Sequence, residues 1–291
     1  MANLNIIDIS KYNGTVSWAK AAAKIDGVVI RAGYRGTSGA LTTDSIFLQH
    51  ITGAIAAGVK RIGVYWWTTH TTEAQAKADA AYLVSLLKPY KAHVNFGVWL
   101  DSEASSTSCA FNKLSAAART TCGLAFLEAM QAAGYQPGVY ASDSWFGTHL
   151  TLSKLSAYPL WVAKYSTTPP KVVKSYAGWQ YTSKGSVTGL SGSVDKSYFY
   201  TDLAAGKTTT ATNATSGGFN VSTLSTIKSG SVGAQVTSLQ LLLNGKDNAG
   251  LTVDGICGTK TAAAIKTYQQ AKSLTVDGIA GVNTWTSLLT I

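Results

Sequence analysis

Phe96-Gly-Val-Trp-Leu-Asp101-Ser-Glu103 is the stretch on which the fold turns. Apolar residues run to Leu100 and stop at two carboxylates one residue apart. A short run of apolar, β-branched and aromatic residues reads as a buried strand. Acids at the end of such a strand are odd inside a sheet and ordinary at the mouth of a β/α barrel, where chemistry sits at the C-terminal strand ends. Residues two apart on a strand point to the same face. Asp101 and Glu103 are therefore expected to face one space, with Ser102 turned away. Like charges so close raise a pKa, which keeps an acid protonated near neutrality.

Moving outward, six further segments have strand character: 4–9, 27–32, 61–67, 137–141, 160–165 and 178–182. Ala-rich helical stretches alternate with them at 17–24, 44–57, 72–87, 113–133 and 144–157. Asp44 and Thr72 suit helix N-caps, and Gly58 and Gly134 suit helix stops. Repeated β-then-α with seven or eight strands predicts a parallel α/β sheet. At this length a closed, distorted β/α barrel is preferred to a doubly wound sheet. Asp8 ends the first strand, and Asp195 follows the last sheet segment. Read singly, Asp8 and Asp195 also suit turn caps and Asp101 a helix cap. Tyr65-Trp66-Trp67, Trp99, Tyr140, Trp161, Tyr165 and Trp179 flank these acids. Flat aromatic faces stack on sugar rings or fill a core, and Trp99 is expected in the core.

Other chemistries lack support. His50, His70, His93 and His149 are scattered without metal-ligand spacing, so no metal and no cofactor is expected. The stretch 189–193 misses the serine-nucleophile pattern by one residue, and the glycine-rich 33–39 is not a phosphate loop. The net charge is +10, from 24 basic and 14 acidic residues, and it is spread along the chain. That excludes a nucleic-acid tail and suits either solubility or approach to an anionic polymer such as a bacterial wall. No run of 18 apolar residues crosses a membrane. Three cysteines exclude a disulfide-dense scaffold, and Cys109 with Cys122 reads as a pair or as two free thiols.

After residue 203 the composition changes. Residues 204–222 read as a Thr-, Ser- and Gly-rich linker, between a catalytic unit at 1–203 and a small helical module at 223–291. The module repeats itself: Leu251-Thr-Val-Asp254-Gly255-Ile-Cys-Gly258-Thr-Lys-Thr261 returns as Leu274-Thr-Val-Asp277-Gly278-Ile-Ala-Gly281-Val-Asn-Thr284. Asp-Gly marks a turn, and each threonine suits the cap of the helix that follows, 261–271 and 284–289. Val236, Leu239, Leu243, Ile265 and Tyr268 have helical apolar spacing.

Asp8-Ile-Ser, Gly63-Val-Tyr65, Asp101-Ser-Glu103, Gly138-Val-Tyr140, Leu160-Trp161-Val-Ala-Lys-Tyr165, Trp179-Gln180-Tyr181 and Val194-Asp195 together resemble, in order and spacing, the glycoside hydrolase family 25 muramidases. The tail resembles the peptidoglycan-binding domain 1 family. The resemblance implies a flattened, irregular, TIM-like β/α barrel followed by a small helical wall-binding domain. It implies cleavage of the β-1,4 bond between N-acetylmuramic acid and N-acetylglucosamine, with bacterial peptidoglycan as partner and no nucleic acid or membrane. Glu103 would be the general acid/base and Asp101 its partner. Asp8 and Asp195 would complete the acidic cleft. Tyr65, Trp67, Tyr140, Trp161, Tyr165 and Arg31 would contact sugar. Trp66-Trp67 replaces the family's usual His-Phe, and Arg31 its usual lysine. Both a direct Asp nucleophile and retention through the substrate's N-acetyl oxygen stay open.

A chitinase-like barrel would need Asp at 96 and 99, which are Phe96 and Trp99. A catalytically silent wall-binding protein and a wall amidase are the remaining rivals. The start, Met1-Ala-Asn-Leu-Asn-Ile-Ile-Asp8, reads as a strand and not as a signal peptide. The expected setting is a phage endolysin, held in the host cytoplasm and acting on the wall after release; a secreted bacterial autolysin is the alternative.

Overall fold

The computed structural model describes residues 3–105, 109–205, 221 and 224–289. The strands are β1 (Leu4–Ile9), β2 (Gly27–Arg35), β3 (Leu41–Thr43), β4 (Ile62–Trp67), β5 (Val94–Asp101), β6 (Pro137–Ser142), β7 (Leu160–Ala163), β8 (Gly178–Gly185) and β9 (Val194–Phe199). Between them run α1 (Trp18–Ala21), α2 (Phe47–Ala56), α3 (Glu73–Leu87), α4 (Ala116–Ala132) and α5 (Asp143–Thr148). The sheet order is β1-β9-β8-β7-β6-β5-β4-β2-β3, and β1 also pairs with β2. That pairing closes eight strands into a barrel and leaves β3 as an addition outside β2.

Neighbouring strands from β1 through β8 run parallel around the barrel, but β9 is antiparallel to both β8 and β1. The expectation that the sheet stops near residue 182 is therefore corrected. Asp195 and Lys196 break the apolar pattern of β9 and hide it from a hydropathy reading, because this strand faces a wet barrel mouth at its start. Asp195 lies within it, not beyond the sheet.

Alternation along each strand sorts two cores. Ile7, Ile9, Val28, Ile30, Val64, Val98, Val139 and Val162 face outward to the helices. Ile6, Val29, Phe96, Trp99, Trp161 and Phe199 fill the barrel interior. Four buried aromatics of this size need room. Gly138 supplies it, since a Cβ there would stand 2.5 Å from the Trp99 ring. Gly97 adopts φ +90°, a conformation that side chains rarely take, and so lets Phe96 and Trp99 both turn inward. The bulge carries the alternation forward and sets Asp101 on the inner face at the barrel mouth.

The helix ends obey local chemistry with some corrections. Thr72 accepts from the Gln75 amide and caps α3, and Gly58 and Gly134 take positive φ at their stops. The helix expected over 113–133 starts only at Ala116, where Ser115 accepts from the Ala118 amide. The one expected over 144–157 ends at Thr148, followed by a 3-10 turn at Leu152–Leu155. Cys109, Cys122 and Cys257 are all buried free thiols.

The expected linker falls almost wholly outside the described residues. In the tail, α6 (Ala234–Asp247), α7 (Thr259–Ala271) and α8 (Val282–Leu289) follow the repeat. Thr261 and Thr284 do not cap; they lie inside α7 and α8, because the helices start at Thr259 and Val282, just after Gly258 and Gly281, whose carbonyls accept the first backbone bonds. Each threonine hydroxyl instead accepts from a buried glutamine amide at 3.1 Å, Gln240 for Thr261 and Gln269 for Thr284. The same glutamines donate to Asp254 and Asp277 at 2.8 Å and accept from the Gly255 and Gly278 amides at 2.9 Å. One glutamine thus ties each Asp-Gly turn to the next helix. α6 packs against α3 and β3 of the barrel.

Candidate active site

Asp8, Tyr65, Asp101, Glu103, Tyr140, Trp161, Tyr165, Gln180 and Asp195 line one hollow of about 160 Å³ at the barrel mouth. They come from the inner faces of seven strands, β1 and β4 to β9, or from the segments just after β5 and β7. Asp8 and Asp195 are directly opposite in the β1–β9 ladder. Asp101 is the last residue of β5, and Glu103 stands two residues past it. The structure therefore brings all four expected acids together.

Their burial differs. Asp8 and Asp101 are only 7% and 5% exposed, whereas Glu103 is open to solvent at the rim. Burial pushes Asp101 well above the usual carboxylate range; Glu103 and Asp8 add to the rise and Arg31 opposes it. Burial likewise raises Asp8, with Asp195 and then Glu103 adding and a Gln180 hydrogen bond opposing. The protein packed around Glu103 raises its carboxyl, and Asp195 adds to this. Asp195 is pushed up to about 6, chiefly by burial. Among the described residues, no cation lines the hollow. Shifted in the same direction, the four carboxyls keep their protons to higher pH than free acids do.

Gln180 went unnoticed as a site residue in the sequence. It is 2% exposed. Its amide accepts from the Tyr140 hydroxyl at 2.8 Å and donates to Asp8 at 2.9 Å. A polar residue at an inward position of a barrel strand, two after Gly178, was the available signal.

Of the expected sugar contacts, Tyr65, Tyr140 and Tyr165 line the hollow, and Tyr165 is 59% exposed. Trp161 also lines it, 2% exposed, with its indole donating to Ser197 at 3.0 Å. Arg31 and Trp67 lie outside the hollow. Arg31 donates to Asp44 at 2.6 Å, so Asp44 is an ion-pair partner as well as a bond to the Ile46 amide. Trp67 packs on Tyr34, ring centroids 6.0 Å apart. Among the described residues, no group of three His, Cys, Asp or Glu could hold a metal ion.

Comparison with known proteins fits this geometry. The family model described as "Glycosyl hydrolases family 25" matches residues 7–190. The chain belongs to glycosyl hydrolase family 25. The family match stops before Asp195, yet β9 closes the family 25 barrel and delivers that acid. A second family model, described as "Putative peptidoglycan binding domain", matches residues 232–288.

The autolytic lysozyme of Clostridium acetobutylicum is 31% identical over 282 residues, covering 96% of this chain and 76% of that protein. The lysozyme of Lactococcus phage mv1 is 29% identical over 167 residues, 55% of this chain and 74% of that one. Among solved structures, the modular autolysin LytC of Streptococcus pneumoniae, in complex with a synthetic peptidoglycan ligand, superposes with a TM-score of 0.59 and 28% identity. That match covers 68% of this chain and 47% of LytC, so the family 25 chain spans about half of it. The chain is a glycoside hydrolase with a lysozyme-type catalytic barrel.

Proposed function

We propose that the chain is an N-acetylmuramidase, hydrolysing the β-1,4 bond between N-acetylmuramic acid and N-acetylglucosamine in bacterial peptidoglycan. The observation that carries this reading is the pairing of an exposed acid with a buried one. Glu103 stands at the rim with a raised pKa, and Asp101 lies beneath it with its Oδ1 buried and lacking a hydrogen-bond partner among the described residues. An orphaned buried acceptor is costly. The acetamido N–H of a bound sugar satisfies it.

Glu103, protonated, gives its proton to the glycosidic oxygen as the C1–O bond breaks. The substrate's own acetamido oxygen, oriented through its N–H by Asp101, forms the new bond to C1. Water then attacks C1 and passes its proton to Glu103 as the bond from C1 to the acetamido oxygen breaks and the acetamide is restored, so that the anomeric configuration is retained. Asp8 and Asp195 line the opposite wall and add negative charge toward the developing oxocarbenium ion. Tyr65, Tyr140 and Tyr165 offer apolar ring faces and hydroxyls to the sugars.

The tail is proposed as the wall anchor, raising local concentration at an insoluble polymer. Its relatives include both a bacterial and a phage lysozyme; the proposed setting is the phage one, with the protein in the host cytoplasm until release and then on the wall. Turbidity of bacterial walls tests the catalytic reading. Wild-type protein clears the suspension, and folded Glu103→Gln loses on the order of 10²-fold or more of that rate. Wild-type-like clearing by the variant would remove Glu103 from the mechanism.

A further inference from the structure

Arg31 and Trp67, absent from the acid hollow, belong to a second cluster beside it. Arg31 is the ladder partner of Tyr65, and Tyr34 is the partner of Trp67. The Arg31 guanidinium lies 5.0 Å from the Tyr12 ring centre and 5.8 Å from that of Tyr34. The Lys11 ammonium lies 5.4 Å from the Tyr12 ring centre. Tyr12 is 80% exposed, an unusual setting for an aromatic ring held in place. It is held because Lys11–Asn13 forms a turn capped by Ser10, the Lys11 amide donates to Asp44 at 3.1 Å, and the Asn13 amide reaches the Ser193 carbonyl at 3.3 Å. The turn follows β1 after Ser10 and places Tyr12 four residues past Asp8.

Arg31 uses Nε on Asp44, at 2.6 Å, while its Nη2 is buried and has no hydrogen-bond partner among the described residues. A buried guanidinium N–H without an acceptor is costly, and Tyr12 is the nearer of the two rings against this guanidinium. The charge pattern is bipolar: four carboxyls in the hollow, and two cations against an aromatic platform on its flank, with Tyr65 between them.

We propose that Lys11, Tyr12 and Arg31 form a carboxylate-binding subsite for the anionic substituent of the glycan. A neutral sugar ring sits over the acids. The carboxylate, borne either by the lactyl ether of a muramic acid or by its peptide stem, reaches the flank, displaces Tyr12 from the guanidinium and takes the free Nη2 together with Lys11. A planar guanidinium suits this task better than an ammonium. The subsite rests on the glycan-hydrolase reading above and adds discrimination for acid-bearing sugars over neutral chitin-like ones.

The test is calorimetric binding to the full-length protein of the disaccharide N-acetylglucosaminyl-N-acetylmuramic acid, its neutral methyl ester, and the same disaccharide carrying a stem peptide. Wild type binds an acid form roughly 10-fold tighter than the ester, and added salt erodes the difference. Preference for the free disaccharide acid assigns the lactyl carboxylate, and preference for the peptide-bearing form assigns the stem. Lys11→Gln, on the surface, reduces the preference, Arg31→Lys reduces it while keeping the charge, and Tyr12→Ala, which removes the ring the carboxylate must displace, leaves it intact or raises it. Equal binding of acid and ester by wild type, or variants that lose both equally, would overturn the subsite. Cleavage of walls by wild type is scored separately. Preference for acid without any cleavage would overturn the hydrolase reading and leave the subsite standing.

Discussion

Gln180 donates to Asp8 at 2.9 Å with an amide whose oxygen is already taken by Tyr140 at 2.8 Å. The Tyr140 hydroxyl therefore decides which end of Gln180 meets Asp8. A fixed N–H donor favours ionised Asp8 against burial and against Asp195 across the ladder. Gln180→Glu replaces that donor with an acceptor. Its acidic limb of activity should move to higher pH, with a loss on the order of 10-fold between pH 5 and 6 and a smaller loss at pH 8. A pH–rate profile of wall lysis on folded protein checks this; an unmoved limb would show that Gln180 only fills space.

The acid cluster should also set how stability changes with pH. Asp195 titrates at about 6 in the fold and near 3.8 unfolded. The folded chain binds more protons between these values, so this contribution is full below the unfolded pKa and is lost as pH rises through 6. Asp8 and Asp101 are shifted in the same direction. Asp195→Asn should therefore stabilise the barrel at pH 8 by on the order of 1 kcal/mol after allowing for solvent contact. That is a rise in Tm of roughly 2–4 °C, which closes at pH 4 while activity falls. Thermal melts at both pH values would reveal the opposite sign if the carboxylate is held by favourable charge instead.

Gly138→Ala tests the packing beneath the site. The new Cβ would meet Trp99 at 2.5 Å and the Pro159 carbonyl at 2.9 Å. Neither a buried indole nor a strand carbonyl yields cheaply, so a loss of about 1–3 kcal/mol is expected in denaturant melts. An unchanged midpoint would mean the barrel interior is looser than its rings imply.

In the tail, Gln269 is 1% exposed and joins the Asp277-Gly278 turn to α8. Gln269→Leu strips buried donors and acceptors of their partners. Co-sedimentation with walls should fall, and cleavage of soluble glycan fragments should not. Loss of both together would place the tail within the catalytic unit's stability.

The barrel was legible because its strands carry apolar runs that stop at acids, and Asp8, Asp101 and Glu103 announce the mouth themselves. What escaped notice has physical causes. β9 is wet at its start, and β3 is three residues long. Gln180 is neutral, and its role exists only through Tyr140, forty residues away in sequence. Tyr12 resembles any surface tyrosine until the fold lays it over Arg31. The threonines of the repeat look like caps because the glutamines that claim them, Gln240 and Gln269, lie outside the repeated segment.

The bond that is cut tests the central claim most directly. Walls digested with the full-length protein are reduced with borohydride, hydrolysed and analysed for amino-sugar alcohols. Cleavage after N-acetylmuramic acid predicts muramitol without glucosaminitol. Glucosaminitol in its place would make the chain a glucosaminidase, and neither alcohol would return it to amidase action or to wall binding without glycan cleavage.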